Sequence, residues 1–227
     1  MRDTISDFHT YIFGNKDADM VLLQMVDDHD IDLIDREIAH IRELCPNKDF
    51  CLHTVKVNDW NHDLSPWPAP AVFGKEDFAG KAEETLHIII DEIIPCIIRE
   101  DKMPKQKLII GGYSLAGLFA LWSACQTDCF DGIAAASPSI WYPDFTDYMS
   151  ENAFRAQTVY LSLGDKEERT RNPVMARVGD AIRQGQIILK DAGVDCILEW
   201  NKGNHFKDPD LRTARAFAWV MSRLYTT

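Results

Sequence analysis

A serine, a group of carboxylates and a histidine follow three separate apolar runs in the second half of the chain. Ser114 lies in the segment 112–117, after the apolar run 108–110 and before apolar residues at helical spacing. A serine in a tight turn between a strand and a helix can act as a nucleophile, because the turn exposes its hydroxyl and the helix N–H groups can stabilise an oxyanion. A serine that only caps the helix is the alternative. The strand-to-helix context favours the nucleophile.

Glycines surround this serine at Gly111, Gly112 and Gly117. They allow strained backbone angles and a close approach of the new helix to the sheet. The usual pattern has a further glycine two residues after the serine, where this chain has Ala116, and we expect the small side chain to fit. A phosphate-binding loop matches less well, because no lysine follows the last glycine.

His205 is the histidine best placed to serve Ser114. It follows the apolar strand predicted at 196–200, whereas most other histidines lie in or beside ordinary elements before the serine, and His62 lies in a proline-rich loop. Imidazole can accept the serine proton during attack and later deliver it to the leaving group. The sequence therefore predicts His205 as general base and acid.

Three carboxylates compete for the role of orienting that histidine. Asp165, Glu167 and Glu168 all follow the apolar strand predicted at 158–163. The chain order serine, acid, histidine is that of the α/β-hydrolase triad. The residues alone leave the choice among the three open.

Strands and helices must alternate to bring these residues together. Apolar runs predict strands at 5–13, 20–26, 50–57, 108–110, 132–136, 158–163 and 196–200. Apolar residues at helical spacing predict helices before Pro46, over 81–100, after Ser114, and over 174–191 and 211–224. The acidic cluster 27–32 is typical of a helix N-terminus rather than a calcium loop. The alternation predicts one α/β domain over 1–227, with a mostly parallel sheet covered by helices on both faces.

Composition excludes several classes of partner. The formal net charge is −12 and the 24 lysines and arginines are scattered, so nucleic acid is not an expected partner. The first residues form no apolar stretch of the length of a signal peptide or a membrane span. The six cysteines form no C-x-x-C pair. We therefore expect a cytoplasmic protein without a membrane partner, and the sequence indicates no oligomeric state.

Metal and cofactor sites are also not indicated. The chain has no H-E-x-x-H motif and no group of histidines and cysteines at ligand spacing. Hydrolysis by a serine nucleophile needs neither a metal nor a cofactor. We expect none.

Five short motifs carry a resemblance to a known family. They are G-x-S-x-x-G at 112–117, DEIIPCIIRE at 91–100, SPSIW at 137–141, YLSLGDKEE at 160–168 and GNHF at 203–206. From about residue 50 onward the chain resembles the esterase D-like and enterochelin esterase-like family of α/β hydrolases, which also includes feruloyl esterases. In that family the acid stands three residues after the glycine that closes its strand, which implies Glu167, followed by Asp165 and then Glu168. Ala116 and Asn204 depart from the family pattern, but neither departure removes a reacting group.

The resemblance implies an α/β-hydrolase fold without a large lid domain. It also implies hydrolysis of a small-molecule carboxylic ester through an acyl-enzyme on Ser114, with His205 and Glu167 completing the triad. Two alternatives stay open. An acyltransferase would use the same triad, and a binding protein with little turnover would keep only the fold.

Backbone N–H groups are expected to form the oxyanion hole. One is that of Leu115, directly after the nucleophile. The other is expected from the loop after the strand 50–57, near Trp60. Aromatic side chains from loops are expected to shape the substrate pocket: Trp60, Trp67, Trp141 and Tyr142.

Overall fold

The computed structural model describes residues 2–5, 8–72, 74–98 and 106–225, with the side chains of 2–5 left undescribed. Its strands are β1 (Arg2–Ile5), β2 (Phe8–Gly14), β3 (Met20–Val26), β4 (Phe50–Lys56), β5 (Pro68–Ala69), β6 (Phe78–Ala79), β7 (Lys107–Tyr113), β8 (Gly132–Ala136), β9 (Thr158–Gly164) and β10 (Asp195–Asn201). Eight of them form one sheet in the order β1-β2-β4-β3-β7-β8-β9-β10, and β5 pairs with β6 separately. From β4 to β10 all neighbours are parallel, whereas β1 and β2 are added antiparallel.

The helices connect these strands across both faces of the sheet. They are α1 (Asp28–Leu44), α2 (Trp60–Asp63), α3 (Ala82–Ile88), α4 (Ile94–Ile97), α5 (Leu115–Gln126), α6 (Phe145–Glu151), α7 (Val178–Asp191) and α8 (Pro209–Leu224). A π-helical segment, Ile89–Ile93, joins α3 to α4, and 3₁₀ turns occur at Glu167–Arg169 and Met175–Arg177. No described helix is long and apolar enough to cross a membrane.

Most predicted elements are confirmed, and the acidic cluster at 27–32 does begin a helix. Asp27 is the N-cap of α1, and Asp27 and Asp30 exchange side-chain-to-backbone hydrogen bonds in a capping box. This pairing satisfies two N–H groups that a helix start leaves without partners. The helix predicted over 174–191 starts later, at Val178, after a 3₁₀ turn.

The predicted helix over 81–100 is interrupted. The N–H of Ile94 donates to the carbonyl of Ile89, five residues earlier, which widens one turn. Pro95 follows directly and has no N–H to donate, so the regular ladder cannot continue through it. Residues 99 and 100 of that helix, and residues 6 and 7 of the predicted first strand, lie outside the described residues.

Alternating side chains of the strands build two cores, one on each face of the sheet. In β3, Val21 and Leu23 belong to the core that α5 covers, whereas Leu22 belongs to the core beneath α1 and α8. Strands buried on both faces read as continuous apolar runs. This explains why the sequence showed them as unbroken stretches.

The topology brings three loops to one edge of the sheet. β7, β8, β9 and β10 are parallel neighbours, so the segments that follow β7, β9 and β10 all leave at the carboxyl edge. Ser114 is the first residue after β7, Glu167 the third after β9, and His205 the fourth after β10. This edge is where open α/β sheets place ligands.

Candidate active site

Ser114 lies in a strained turn between β7 and α5. Its φ is 56°, in the left-handed region that non-glycine residues rarely adopt. Gly112 has φ 156°, and a Cβ added there would lie 2.6 Å from the Cβ of Ala116. The methyl group of Ala116 therefore occupies the space beside Gly112. Position 112 must be glycine, and alanine is accommodated two residues after the serine.

Ser114, His205 and Glu167 form one chain of hydrogen bonds. His205 Nε2 lies 3.1 Å from Ser114 Oγ, and His205 Nδ1 lies 2.7 Å from Glu167 Oε2. An ionised carboxylate can only accept, so Nδ1 carries a proton that it donates to Glu167. In the neutral imidazole, Nε2 is then an acceptor and faces the serine hydroxyl.

Glu167 is buried, and its second oxygen accepts three hydrogen bonds. Oε1 receives the N–H of Gly164 at 2.7 Å, the hydroxyl of Ser137 at 2.9 Å and the guanidinium of Arg212 at 2.8 Å. Burial raises the pKa of Glu167, but the hydrogen bond and charge of His205, with the Gly164 and Ser137 donors, outweigh it and lower the pKa below its ordinary value. Glu167 is therefore held ionised.

Arg212 links Glu167 to the loop that carries His205. Its side chain is 2% exposed and donates to the carbonyl of Asn204 at 3.0 Å and to the hydroxyl of Tyr113 at 3.1 Å. The Tyr113 hydroxyl in turn donates to the carbonyl of His205 at 2.7 Å. These contacts fix the backbone on both sides of the imidazole.

Arg212 was not predicted from the sequence, although a signal was present. Arg212 shares helical spacing with Ala216 and Val220, which are both buried on the inner face of α8. An arginine on a buried stripe needs an anionic partner, because a buried charge without one is strongly unfavourable. That requirement points to a carboxylate in the neighbouring strand ends.

The two other carboxylates considered for the acid have different partners. Asp165 accepts the N–H of Gly203 at 2.8 Å, which joins the loops after β9 and β10. Glu168 pairs with Arg183 at 3.1 Å near the surface. Among the three, Glu167 is the one that contacts His205.

Ser139 also contacts Ser114. The two hydroxyl oxygens are 3.2 Å apart, and the N–H of Ser139 donates to the carbonyl of Ser114 at 3.0 Å. If the Ser114 hydroxyl donates to His205, the Ser139 hydroxyl is left to donate to Ser114. The segment after β8 thus helps to position the serine.

Leu115 and Trp60 were the two residues expected to supply oxyanion donors. Leu115 begins α5, where N–H groups lack intrahelical partners. Trp60 lines the same cleft as Ser114, but it follows β4, which is separated from β7 by β3. Asp27 follows β3 itself and lines that cleft too. The turn at Asp27, which was not predicted from the sequence to lie here, therefore lines the same cleft as Ser114 and Trp60.

Two clefts meet at His205. One, of about 250 Å³, is lined by Glu167, His205 and Trp141 among others. The other, of about 180 Å³, is lined by Ser114, His205 and Trp60 among others. Trp60 and Trp141 thus lie where the sequence analysis expected pocket residues.

Trp67 and Tyr142, which were also expected to shape the pocket, line neither of these two clefts. Their rings pack edge to face, with centroids 5.7 Å apart, and the Tyr142 hydroxyl donates to the carbonyl of Trp67 at 2.6 Å. The indole N–H of Trp67 donates to the carbonyl of Pro143 at 3.2 Å. Because both polar ends are satisfied in the interior, the two residues fasten the proline-rich loop to the segment after β8.

One group of described residues has the proximity to hold a metal ion. Ligand atoms of Asp59, His62 and Glu76 lie within 4.8 Å of one another. Asp59 already accepts the N–H of His62 as the cap of α2, and its carboxylate lies 3.0 Å from the His62 ring. Glu76 is exposed. These contacts account for the group without an ion, and it shares no residue with the Ser114 chain of hydrogen bonds.

Comparison with known proteins identifies the fold to which this site belongs. No protein-family model matches the chain. A curated relative, acyl-protein thioesterase 1 homolog 1 of Dictyostelium discoideum, is 27% identical over 144 residues, and the match spans 60% of this chain and 60% of the relative's length.

Solved structures are similar over almost the whole chain. An IroE-like serine hydrolase of Shewanella oneidensis has a TM-score of 0.74 at 14% identity, covering 93% of this chain and 75% of that one. Siderophore hydrolase EstA of Aspergillus nidulans has a TM-score of 0.67 at 19% identity, covering 96% and 90%. With the sheet order and the strained serine turn, these likenesses confirm the predicted fold: the chain is an α/β-hydrolase-fold protein.

Proposed function

We propose that the chain is a serine hydrolase that cleaves small-molecule carboxylic esters through an acyl-enzyme on Ser114. The observation that carries the proposal is the continuous chain of hydrogen bonds from Ser114 Oγ through His205 to Glu167, which begins in a strained turn. The names of the similar proteins, a serine hydrolase, a siderophore hydrolase and a thioesterase, agree with cleavage of an ester or thioester.

In the first half of the reaction, Ser114 Oγ attacks the carbonyl carbon of the ester. Its proton passes to His205 Nε2, and the carbonyl oxygen becomes an oxyanion. The tetrahedral intermediate collapses when the alcohol leaves, and His205 gives that alcohol its proton. The acyl group is then bonded to Ser114.

In the second half, water takes the place of the alcohol. His205 removes a proton from the water, whose oxygen attacks the acyl carbon. Collapse of this intermediate releases the carboxylic acid and returns the proton to Ser114. Each half therefore uses one imidazole as base and then as acid.

Glu167 and the backbone donors stabilise the charges that develop. Glu167 stays ionised, keeps the imidazole in the required tautomer and stabilises the imidazolium. The N–H of Leu115 and one N–H from the turn at Asp27 or from Trp60 would bind the oxyanion. Loss of one such donor typically lowers turnover by about a hundred-fold or more.

The test is hydrolysis of p-nitrophenyl acetate by the wild type and by Ser114→Ala and His205→Ala. We expect both substitutions to abolish turnover and Ser114→Ala to abolish labelling by a fluorophosphonate probe. Exposed Ser150→Ala and His87→Ala are matched controls that keep full activity. Circular dichroism verifies that each variant is folded. Hydrolysis or labelling that survives Ser114→Ala overturns the proposal.

A further inference from the structure

The cleft that contains Ser114 has acidic and aromatic walls. Asp27 and Asp30 come from the start of α1 together with His29, while Trp60, Tyr113 and Phe206 supply rings. In the described part of the chain, no lysine or arginine lines this cleft. A negative potential beside the reacting hydroxyl discriminates among substrates by their charge.

The neighbouring cleft has the opposite character. Lys166 and Arg169 line its walls together with Trp141 and with Glu167, whose charge is already paired with Arg212. His205 and Phe206 border both clefts and separate them. The two sides of the reacting centre therefore present opposite charges, and a substrate with one charged end has a preferred orientation.

The carboxylates of Asp27 and Asp30 have backbone partners but no cation. Asp27 accepts the N–H of Asp30 at 2.8 Å, and Asp30 accepts the N–H of Asp27 at 3.3 Å. Neither forms an ion pair with any residue that the structure describes. Burial and then the charge of Asp27 raise the pKa of Asp30 to about 7, which the hydrogen bond from the Asp27 backbone and then the charge of His29 oppose only in part. A bound cation would relieve this repulsion.

The aromatic rings fit the same kind of ligand. Phe206 is 87% exposed and packs edge to face against His205, with centroids 5.6 Å apart. Trp60 and Tyr113 line the same cleft. Aromatic faces attract ammonium groups through their quadrupole, and combined with carboxylates they favour a cation over a neutral group of the same shape.

We propose that the Ser114 cleft binds a cationic group of the ester substrate, an ammonium or quaternary ammonium carried on its acyl or alcohol part. The inference rests on the proposed function, because it assigns this cleft to the substrate of Ser114. It names a substrate class: esters that carry a positive charge close to the carbonyl.

Two pairs of isosteric esters test the inference. Acetylcholine is compared with 3,3-dimethylbutyl acetate for the alcohol side. The p-nitrophenyl esters of 4-(trimethylammonio)butanoic and 5,5-dimethylhexanoic acid are compared for the acyl side. At pH 8, where Asp30 is largely ionised, we expect kcat/KM of the charged member of one pair to exceed that of its neutral partner about tenfold or more, which corresponds to about 1.4 kcal/mol.

The double variant Asp27→Asn/Asp30→Asn removes both charges and keeps residues that can cap the helix. We expect its ratio of charged to neutral kcat/KM to fall well below that of the wild type, because only the attraction of the aromatic rings is left. Asp28→Asn is the matched control, because Asp28 lies in the same turn, points to solvent and pairs with Lys56. A wild type without preference, or a preference that is undiminished in the double variant, overturns the inference.

Binding of benzyltrimethylammonium, followed by calorimetry, separates this inference from the proposed function. We expect the wild type to bind the cation at least tenfold more tightly than the double variant, even if no ester is turned over. If the protein binds the cation in a charge-dependent way but turns over no ester, the proposed hydrolase activity is contradicted and the cation site is supported. If the protein turns over esters but neither binds the cation nor prefers a charged ester, only the cation site is contradicted.

Discussion

The guanidinium of Arg212 donates to Glu167 Oε1 at 2.8 Å, and both side chains are almost fully buried. The two carboxylate oxygens of Glu167 therefore have different partners. Oε1 is occupied by Arg212 and two further donors, so Oε2 is left for His205. The last helix thereby sets the orientation of a carboxylate that follows β9.

Replacing Arg212 with methionine is expected to damage both stability and turnover. Removing one partner of a buried ion pair leaves the other charge uncompensated, at a cost of about 3–5 kcal/mol. A displaced Glu167 and His205 would lower kcat by about a hundred-fold, since a shift of about 1 Å in a reacting group has that effect. Urea unfolding and steady-state kinetics measure the two losses.

If Arg212 positions Glu167, its replacement lowers the rate of each folded molecule as well as the amount of folded protein. With kcat normalised to the sites that a fluorophosphonate labels, Arg212→Met should still be slow at a nearly unchanged KM, and Arg212→Lys should recover part of the rate. Arg215→Met, in a half-exposed pair with Glu199, is the control and should keep its activity. A normalised kcat equal to that of the wild type would limit Arg212 to stability.

Substitutions of the three neighbouring carboxylates separate their roles. Glu167→Gln is expected to lower kcat by about 10⁴-fold, because an amide at this position disturbs the imidazole tautomer. Glu168→Gln should have no effect, since Glu168 pairs with Arg183. Asp165→Asn should have a smaller effect through the loop at Gly203. Comparable losses in Glu168→Gln and Glu167→Gln would contradict this assignment.

Local patterns in the sequence were sufficient to predict the strands that precede Ser114, Glu167 and His205. The strands before Ser114 and Glu167 are mostly apolar and buried on both faces, whereas the edge strand before His205 is only half-buried. Parallel pairing then brings the ends of β7, β9 and β10 to one edge. The strand order also explains why residues far apart in the chain meet there.

Contacts that depend on the order of strands and on side-chain direction were not predictable in the same way. Asp27 was correctly assigned to a helix start, but only the position of β3 beside β7 puts that turn next to Ser114. Trp67 and Tyr142 are aromatic residues of the kind that often line pockets. Their polar groups instead donate to the backbone carbonyls of Pro143 and Trp67. Pairing of this kind is decided by tertiary packing rather than by spacing along the chain.

The fit between Gly112 and Ala116 can be measured by a double-mutant cycle. A Cβ at position 112 would lie 2.6 Å from the Ala116 methyl, so Gly112→Ala should destabilise by about 1–3 kcal/mol from overpacking, in addition to backbone strain. Ala116→Gly alone should cost about 0.5–1 kcal/mol. The double variant should be more stable than the sum of the two losses predicts. Strict additivity in urea unfolding would show that the two positions do not compete for space.

The buried side chain of Glu37 is expected to make the free energy of unfolding depend on pH. Its side chain is buried on α1, accepts from Gln24 Nε2 at 3.3 Å and has no hydrogen-bond partner for Oε1 among the described residues. Burial, and to a lesser degree the charges of Asp30 and Asp210, raise the pKa of Glu37 well above its ordinary value, against the effect of Gln24. The folded protein therefore holds a proton that the unfolded chain releases.

Because unfolding releases that proton, stability falls as the pH rises from the ordinary carboxyl pKa towards the folded one, by up to about 1.4 kcal/mol per pH unit for one group. Glu37→Gln replaces the protonated acid with an isosteric amide that cannot ionise. The variant should gain free energy of unfolding relative to the wild type as the pH is raised from 5 to 8. Exposed Glu84→Gln is the control and should follow the wild type. Parallel curves for Glu37→Gln and the wild type in urea unfolding would mean that Glu37 is already ionised in the folded protein.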